Sequence, residues 1–386
     1  LMSTVDNIND TILFDIDYQN TNFESLHRLP TEVIEIIIYL LCLCIGGPLN
    51  LICFNRSFRL YKNRKQRNQI LFLRLHLNIA DLLTIFIYTP SQIIWMTTFQ
   101  WYGGDVLCRI CKFFYTFNFY LNSFVIAVIA VDRAQGAYRI NDVKASKLAF
   151  RWVKYMLALS YMAAVIFSTP QIFIFRLYQP NETIEFRQCT PIWTIHAYKY
   201  DIQMRLAKTI QEKQLLTMKF YQVHRLEKMY NITHLLVVFW IPATVIAFSY
   251  LFVIFNRFPY ITYIISHISQ NKRYGSLNAN EQIAVTNVTS SSTDAHTISS
   301  EDNPTAVALK SAVGPLTLQT LSKASKIAKR QAAMTLIAYL TLWSPYNMLA
   351  MMNTLTNGEI IADTLNFLNA LIVVNPVVNP LIYGLF

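Results

Sequence analysis

The run "FLNALIVVNPVVNPLIYGLF" (367–386) sets two Asn-Pro steps four residues apart in an otherwise apolar stretch. Proline removes a backbone donor and bends a helix, and asparagine brings polar atoms that are costly to bury alone. Asn379, Pro380 and Tyr383 together read as a switch element. The proline loosens the backbone, the asparagine satisfies buried polar partners and the tyrosine swings. Asp81, in "LHLNIADLL", is the deepest ionisable residue of any apolar stretch. Such a group is expensive at membrane depth and is a functional candidate by default. It reads as a carboxyl hydrogen-bonded to Asn50 and Asn379, or as a cation or proton site that shifts the bundle. The two readings are compatible.

Asp132-Arg133 lies 24–25 residues after Cys108, one membrane crossing away. The plain reading is an interfacial ion pair. The functional one is an arginine held by its neighbour in one state and released to a partner in another. In "LWSPY", Trp343 stands two residues before Pro345, which places a large indole at a hinge. Pro242, with Tyr250 two turns below it, marks a second kink.

The elements that position these residues are apolar. The chain of 386 residues is 54% hydrophobic and 14% charged, with mean hydropathy +0.31, whereas soluble domains average about 25% charged. Seven stretches suit the ~20 residues that a transmembrane helix needs. They are roughly 33–54, 69–95, 106–131, 152–175, 232–255, 327–355 and 360–386. The expected fold is an all-α membrane protein, a seven-helix bundle.

Charge sets its orientation. Six Lys/Arg follow span one, six lie between Arg133 and Lys154, and eight between Arg257 and Arg330. The amino-terminal tail (1–32) is acidic, so the positive-inside rule places it outside and those three segments inside. The loop 176–231 disagrees, with nine Lys/Arg counted between spans four and five, but long loops translocate regardless of charge. Basic residues that flank spans do not form the continuous patch that nucleic acid requires. The polar, acidic first residues do not resemble a cleavable signal peptide.

The domain reading is a tail (1–32) and one seven-span body (33–386), with the long outer loop (176–231) and a third cytoplasmic loop (257–326). The Ser/Thr/Asn-rich stretch 276–302 of that last loop reads as disordered. Topology exposes the sequons at Asn9 and Asn181 to glycosylation and shields Asn287. Cys42, Cys44 and Cys53 read as buried small hydrophobes. Cys108 tops span three and Cys189 lies in the outer loop, where an oxidising exterior permits a disulfide. Cys111, one helical turn deeper, competes for it.

Asn50, Asp81, Cys108, Asp132-Arg133, Pro170, Cys189, Pro242, Trp343-x-Pro345 and Asn379-Pro-x-x-Tyr383 occur one set per span and in order. As a set they resemble a rhodopsin-like G-protein-coupled receptor. "WYGGDVLCRICKFFYTFNFYLNSFVIAVIAVDR", "STPQIFIF", "FRQCT" and "WSPYNML" are similar to the gonadotropin-releasing hormone/adipokinetic hormone receptor group. The resemblance implies a Cys108–Cys189 disulfide. It also implies a coupling switch of Asp132, Arg133, Tyr250, Trp343, Pro345, Asn379, Pro380 and Tyr383. Asn50, Asp81, Asn122, Asn375 and Asn379 would form a polar core, with an allosteric sodium ion as candidate occupant and no other cofactor or metal. Gln92, Trp101, Lys112, Tyr115, Phe119, Tyr346, Asn347 and Asn369 would line the ligand mouth, with bundle packing as the alternative for each.

Some residues depart from the pattern. Ala134 replaces the usual tyrosine after Asp-Arg, Tyr161 the mid-span-four tryptophan and Leu342 the cysteine before Trp343. Tyr115 stands where many relatives of the group carry a basic residue. The sequence starts at Leu1 and ends three residues past Tyr383, before an amphipathic eighth helix, which leaves a truncated product open. The leading expectation is a non-enzymatic, multi-pass plasma-membrane receptor for an extracellular peptide. It would activate a heterotrimeric G protein, with phospholipase C coupling implied by the resemblance. A biogenic-amine receptor would need a carboxylate high in span three, and none occurs between Cys108 and Asp132. A transporter lacks inverted repeats. A non-signalling decoy is the remaining reading, prompted by Ala134 and the absent eighth helix.

Overall fold

The computed structural model describes residues 30–63, 68–138, 145–180, 186–255, 315–356 and 362–383. Its helices are α1 (Pro30–Lys62), α2 (Gln69–Thr98), α3 (Gly104–Tyr138) and α4 (Ala145–Ser168, continued by Pro170–Ile174). Then come strands β1 (Phe175–Tyr178) and β2 (Gln188–Pro191), helix α5 (Ile192–Leu206), and α6 (Ile210–Phe255), α7 (Pro315–Thr356) and α8 (Ala362–Tyr383). Spans one to seven are therefore α1, α2, α3, α4, α6, α7 and α8. The chain folds as a seven-helix membrane bundle, with one antiparallel hairpin as its non-helical element among the described residues.

Several boundaries differ from the sequence reading. The helix that carries span five starts at Ile210, well before the expected span at Ile232, and α5 precedes it. Much of the expected outer loop is therefore helical. Thr209 starts α6 by accepting the Glu212 N–H at 3.3 Å, a side-chain cap that offsets an orphan donor. The helix that carries span six starts at Pro315, so the end of the expected third loop is helix, whereas 276–302 lies outside the described residues. Asn9 and Asn181 also lie outside them.

By length and composition five described helices suffice to cross a bilayer: α1, α2, α3, most of α4, and α6. The sequence reading had seven. Span seven contributes only the shorter apolar stretch Phe367–Tyr383. In α7 the polar residues Gln331, Thr335, Asn347 and Asn353 are buried in the bundle, where they lower the hydropathy of the helix without meeting lipid. Conversely, Ile34, Ile37, Leu41, Ile45 and Ile52 recur at helical spacing on the exposed side of α1, as a lipid-facing stripe requires.

Three prolines share one local solution. The π-helical turns Cys42–Gly46, Thr84–Tyr88 and Leu236–Trp240 each end two residues before Pro48, Pro90 and Pro242. A proline ring clashes with the carbonyl four residues back, and a wide turn inserts one residue that moves that carbonyl aside. Helix α3 is the central strut. Leu121, Val125, Ile126 and Ala130 are fully enclosed and pack in one core with Leu77, Tyr339 and Trp343.

Candidate functional site

At the outer end Cys108 of α3 is bonded to Cys189 of β2, with a Cα–Cα distance of 5.6 Å. Cys111 is free and buried. The hairpin pairs Leu177 with Cys189, and Asp105 accepts the Leu177 N–H at 2.8 Å. Trp101 donates its backbone N–H to the Arg187 carbonyl at 2.8 Å, and Trp95 donates from Nε1 to Gln188 Oε1 at 3.0 Å. Together these contacts clamp β2 as a roof over the α2–α3 connection.

Lys112 lies beneath that roof. It is 2% exposed, and its Nζ has no hydrogen-bond partner among the described residues. The ammonium stands 4.1 Å from the ring centroid of Trp95, 5.2 Å from Phe175 and 5.3 Å from Tyr115. Aromatic faces stabilise a cation in this range, most strongly when it is desolvated. A buried ammonium without an acceptor still holds unused donors.

One turn deeper, Tyr88 is the hub. Its ring contacts Tyr115 at 4.9 Å, Phe119 at 5.0 Å and Tyr39 at 6.2 Å, and its hydroxyl accepts from Asn369 Nδ2 at 3.1 Å. Tyr115 donates to Ser91 Oγ at 2.6 Å. Phe119 meets Trp343 edge-to-face at 5.7 Å. Lys112, Tyr115, Phe119 and Asn369 are thus gathered around Tyr88 and Trp95, and Gln92 is buried on the same helix as both.

The other expected mouth residues are placed differently. Trp101 belongs to the roof: its Nε1 donates to the Gly104 carbonyl at 2.9 Å and its ring meets Trp95 at 6.4 Å. Tyr346 packs against the cluster of Leu235, Ala350 and Leu365. Asn347 donates back to the Trp343 carbonyl at 2.8 Å. Sequence reasoning missed Tyr88, Ser91, Trp95 and Phe175. Aromatic density in "FIYTPSQIIW" was the available signal.

Midway through the bundle Asp81 is fully buried. It accepts from Asn379 Nδ2 at 3.1 and 3.2 Å, from Tyr383 Oη at 3.1 Å and from Asn122 Nδ2 at 3.3 Å. The expected Asn50–Asp81 bond is absent, and this corrects the sequence reading. Asn50 instead donates to the carbonyls of Pro376 at 2.8 Å and Gly46 at 2.9 Å, and accepts from Asn78 at 2.9 Å. The reason is Pro380. It supplies no N–H to the carbonyl four residues earlier, that of Pro376, and Asn50 takes over that acceptor.

Several buried oxygens of the polar core have no donor among the described residues: Asn118 Oδ1, Asn122 Oδ1, Asn375 Oδ1 and Asn379 Oδ1. Asp81 and these carboxamide oxygens are the all-oxygen kind of donor that a hard cation takes, so their chemistry fits such an ion. Trp343 Nε1 and Asn375 Nδ2 are likewise buried and have no partner among the described residues.

At the inner end Arg133 is ion-paired with the buried Asp132. Arg74 of α2 donates to Gln331 of α7, and its guanidinium lies 5.9 Å from the Tyr383 ring centroid. Arg74, Arg133, Gln331, Thr335 and Tyr383 line one cavity. Tyr250 packs on the core below Pro242, and Pro345 lies inside α7 just beyond Trp343. Tyr339 Oη sits 3.0 Å from Ser123 Oγ and 3.4 Å from the Val238 carbonyl, four residues before Pro242. At the Tyr161 departure, Tyr161 Oη lies 3.0 Å from His76 Nδ1 and links α4 to α2.

Comparison with known proteins agrees with this geometry. G-protein coupled receptor daf-38 of Caenorhabditis elegans is 27% identical over 92% of this chain and 89% of its own length. Cephalotocin receptor 2 of Octopus vulgaris is 31% identical over 47% of the chain and 43% of its own length. The gonadotropin-releasing hormone receptor of Sus scrofa is 32% identical over 38% of the chain and 48% of its own length. The family "7 transmembrane receptor (rhodopsin family)" matches residues 58–212 and 215–383. With nearly every span inside that match, the chain belongs to the rhodopsin family of seven-transmembrane receptors, a multi-pass plasma-membrane protein and not an enzyme.

Proposed function

We propose that this receptor is activated by an extracellular peptide, of the kind its gonadotropin-releasing hormone and cephalotocin receptor relatives are named for, and signals through a heterotrimeric G protein with phospholipase C coupling. The observation that carries the reading is Lys112. A cation high in α3, buried among aromatic rings without an acceptor among the described residues, offers donors to a peptide carbonyl or carboxylate. An amine ligand would need the opposite charge there. Asp132 is the first carboxylate of α3 after Cys108.

The path from mouth to exit follows packed side chains. A ligand that displaces Tyr115 or Phe119 disturbs Trp343, which Phe119 touches at 5.7 Å. α7 pivots at Pro345, Gln331 leaves Arg74, and Arg133 exchanges Asp132 for a G-protein segment. Binding needs only higher affinity for the open state. A shift from 1:99 to 99:1 requires about 5.5 kcal/mol of differential affinity.

The cation proposed for the polar core is sodium, held by Asp81 with Asn118, Asn122, Asn375 and Asn379. When bound it would supply a positive charge that ties α2, α3 and α8 together in the closed state.

Calcium release in cells expressing the chain, screened against a neuropeptide panel and a biogenic-amine panel, tests the function. A response to a peptide that falls at least tenfold in potency with Lys112→Gln supports it. A response to amines alone, or to nothing at matched surface expression, overturns it.

A further inference from the structure

α5 and the start of α6 form a helical hairpin at the outer end, and its surface is unusual. From Arg187 to Lys228 there are eight Lys/Arg and three Asp/Glu. Arg205 is paired with Asp201 at 3.1 Å. Lys199, Lys208, Lys213, Lys219 and Arg225 are exposed, and none has a carboxylate within ion-pair distance among the described residues. Between these cations runs an apolar stripe. Leu215, Met218, Leu226 and Met229 are 54–63% exposed, and their spacing places them on one side of α6. An apolar stripe rimmed by charge marks an interaction surface.

The complementary segment lies in the same chain. Residues 1–29 carry Asp6, Asp10, Asp15, Asp17 and Glu24 against Arg28 alone, and "ILFDIDY" (12–18) interleaves apolar side chains with two of those carboxylates. This tail joins the bundle at Pro30, the start of α1. Tyr39 of α1 shares a buried cluster with Cys108 and Cys189, so the tail leaves from the end where the hairpin begins. Twenty-nine residues reach at most about 100 Å when extended. The exposed stretch from Ile210 to Met229 is only about 30 Å long.

We propose that the acidic amino-terminal tail docks on the basic α5–α6 hairpin, with its 12–18 segment against the Leu215–Met229 stripe and its carboxylates among the flanking lysines. The tail thereby covers the exposed apolar stripe. It also neutralises a charge excess that the charge rule would not place outside a membrane. Both effects are local to the outer end and independent of which ligand the receptor takes.

The test is zero-length carbodiimide crosslinking of the full chain in lipid nanodiscs, read by peptide mass spectrometry. Expected are amide links from Asp15, Asp17 or Glu24 to Lys199, Lys208, Lys213 or Lys219 within one chain, lost in the double variant Met218→Asp/Leu226→Asp, which keeps every lysine. Deleting residues 2–27 should raise carbodiimide-independent acetylation of the same lysines at least twofold. Absence of these links in the parent, or their survival in the double variant, overturns the docking. Links found only between isotopically distinct copies replace it with an interface between receptors. Protection of the lysines that appears only with an added acidic peptide assigns the surface to a ligand instead.

Discussion

Asn50 on α1 donates to the Pro376 carbonyl on α8 at 2.8 Å, the acceptor left open by Pro380. The first span thus completes the backbone of the seventh. Replacing Asn50 by Leu removes this donor and also the acceptor of Asn78. A loss of about 1–3 kcal/mol is expected for leaving buried partners unpaired. Thermal unfolding of the purified chain should register it. Pro380→Ala should partly restore Asn50→Leu, because it returns the missing N–H.

Arg74 and Gln331 join α2 to α7 across the inner cavity. If α7 must leave for the G protein to enter, Arg74→Met favours the open state. One side-chain bond from a charged guanidinium, about 1.5–3 kcal/mol, corresponds to a shift of roughly 10–150-fold in the closed–open equilibrium, read as higher ligand-free inositol phosphate accumulation. Unchanged basal output at equal surface expression would remove the latch from the mechanism.

Arg133→Ala should reduce G-protein activation at least tenfold while peptide binding stays measurable. Its partner Asp132 is buried beside it, and the ligand mouth lies at the opposite end of α3. A variant that signals like the parent sinks the exchange of partners at this position.

Removal of Cys108 or Cys189 should cost about 2–5 kcal/mol and most of the surface expression. Cys111→Ser should be near neutral, and non-reduced digests of that variant should still contain the 108–189 linked pair. A pair that rearranges to Cys111 would mean the roof has a second register.

Sodium should stabilise the parent against heat relative to choline at equal ionic strength. By mass action a tenfold excess over the dissociation constant contributes about 1.4 kcal/mol. Asp81→Asn should flatten that response, and an unchanged sodium-dependent Tm shift would move the ion elsewhere.

The architecture was legible because lipid enforces it: long apolar runs, basic inner flanks and proline punctuation all follow from the cost of unpaired backbone in hydrocarbon. Asp81 with Asn379 was legible for the same reason, since few other groups could satisfy a buried carboxylate. The Asn50–Pro376 bond was not, because the partner is a backbone carbonyl whose availability depends on a residue four positions on. Tyr88 and Trp95 escaped notice since aromatic residues in a span look alike until their neighbours are known. Helix in 192–231 was hidden because it packs little of its surface on a core: every side chain from Ile210 to Met218 is exposed, Leu216 excepted.

That long fifth span has a mechanical consequence. From Ile210 to Leu235, 26 residues of unbroken α-helix stand above the wide turn at Leu236–Trp240, a rod of about 39 Å. Such a rod is a lever with its fulcrum at the turn. A tilt of about 10° there carries the tip at Ile210 through about 7 Å, by the same rise per residue. A small rearrangement at Trp240 is thus geared up at the outer tip of this helix. A force applied to that tip is multiplied, in turn, at the place where Tyr339 reaches the Val238 carbonyl.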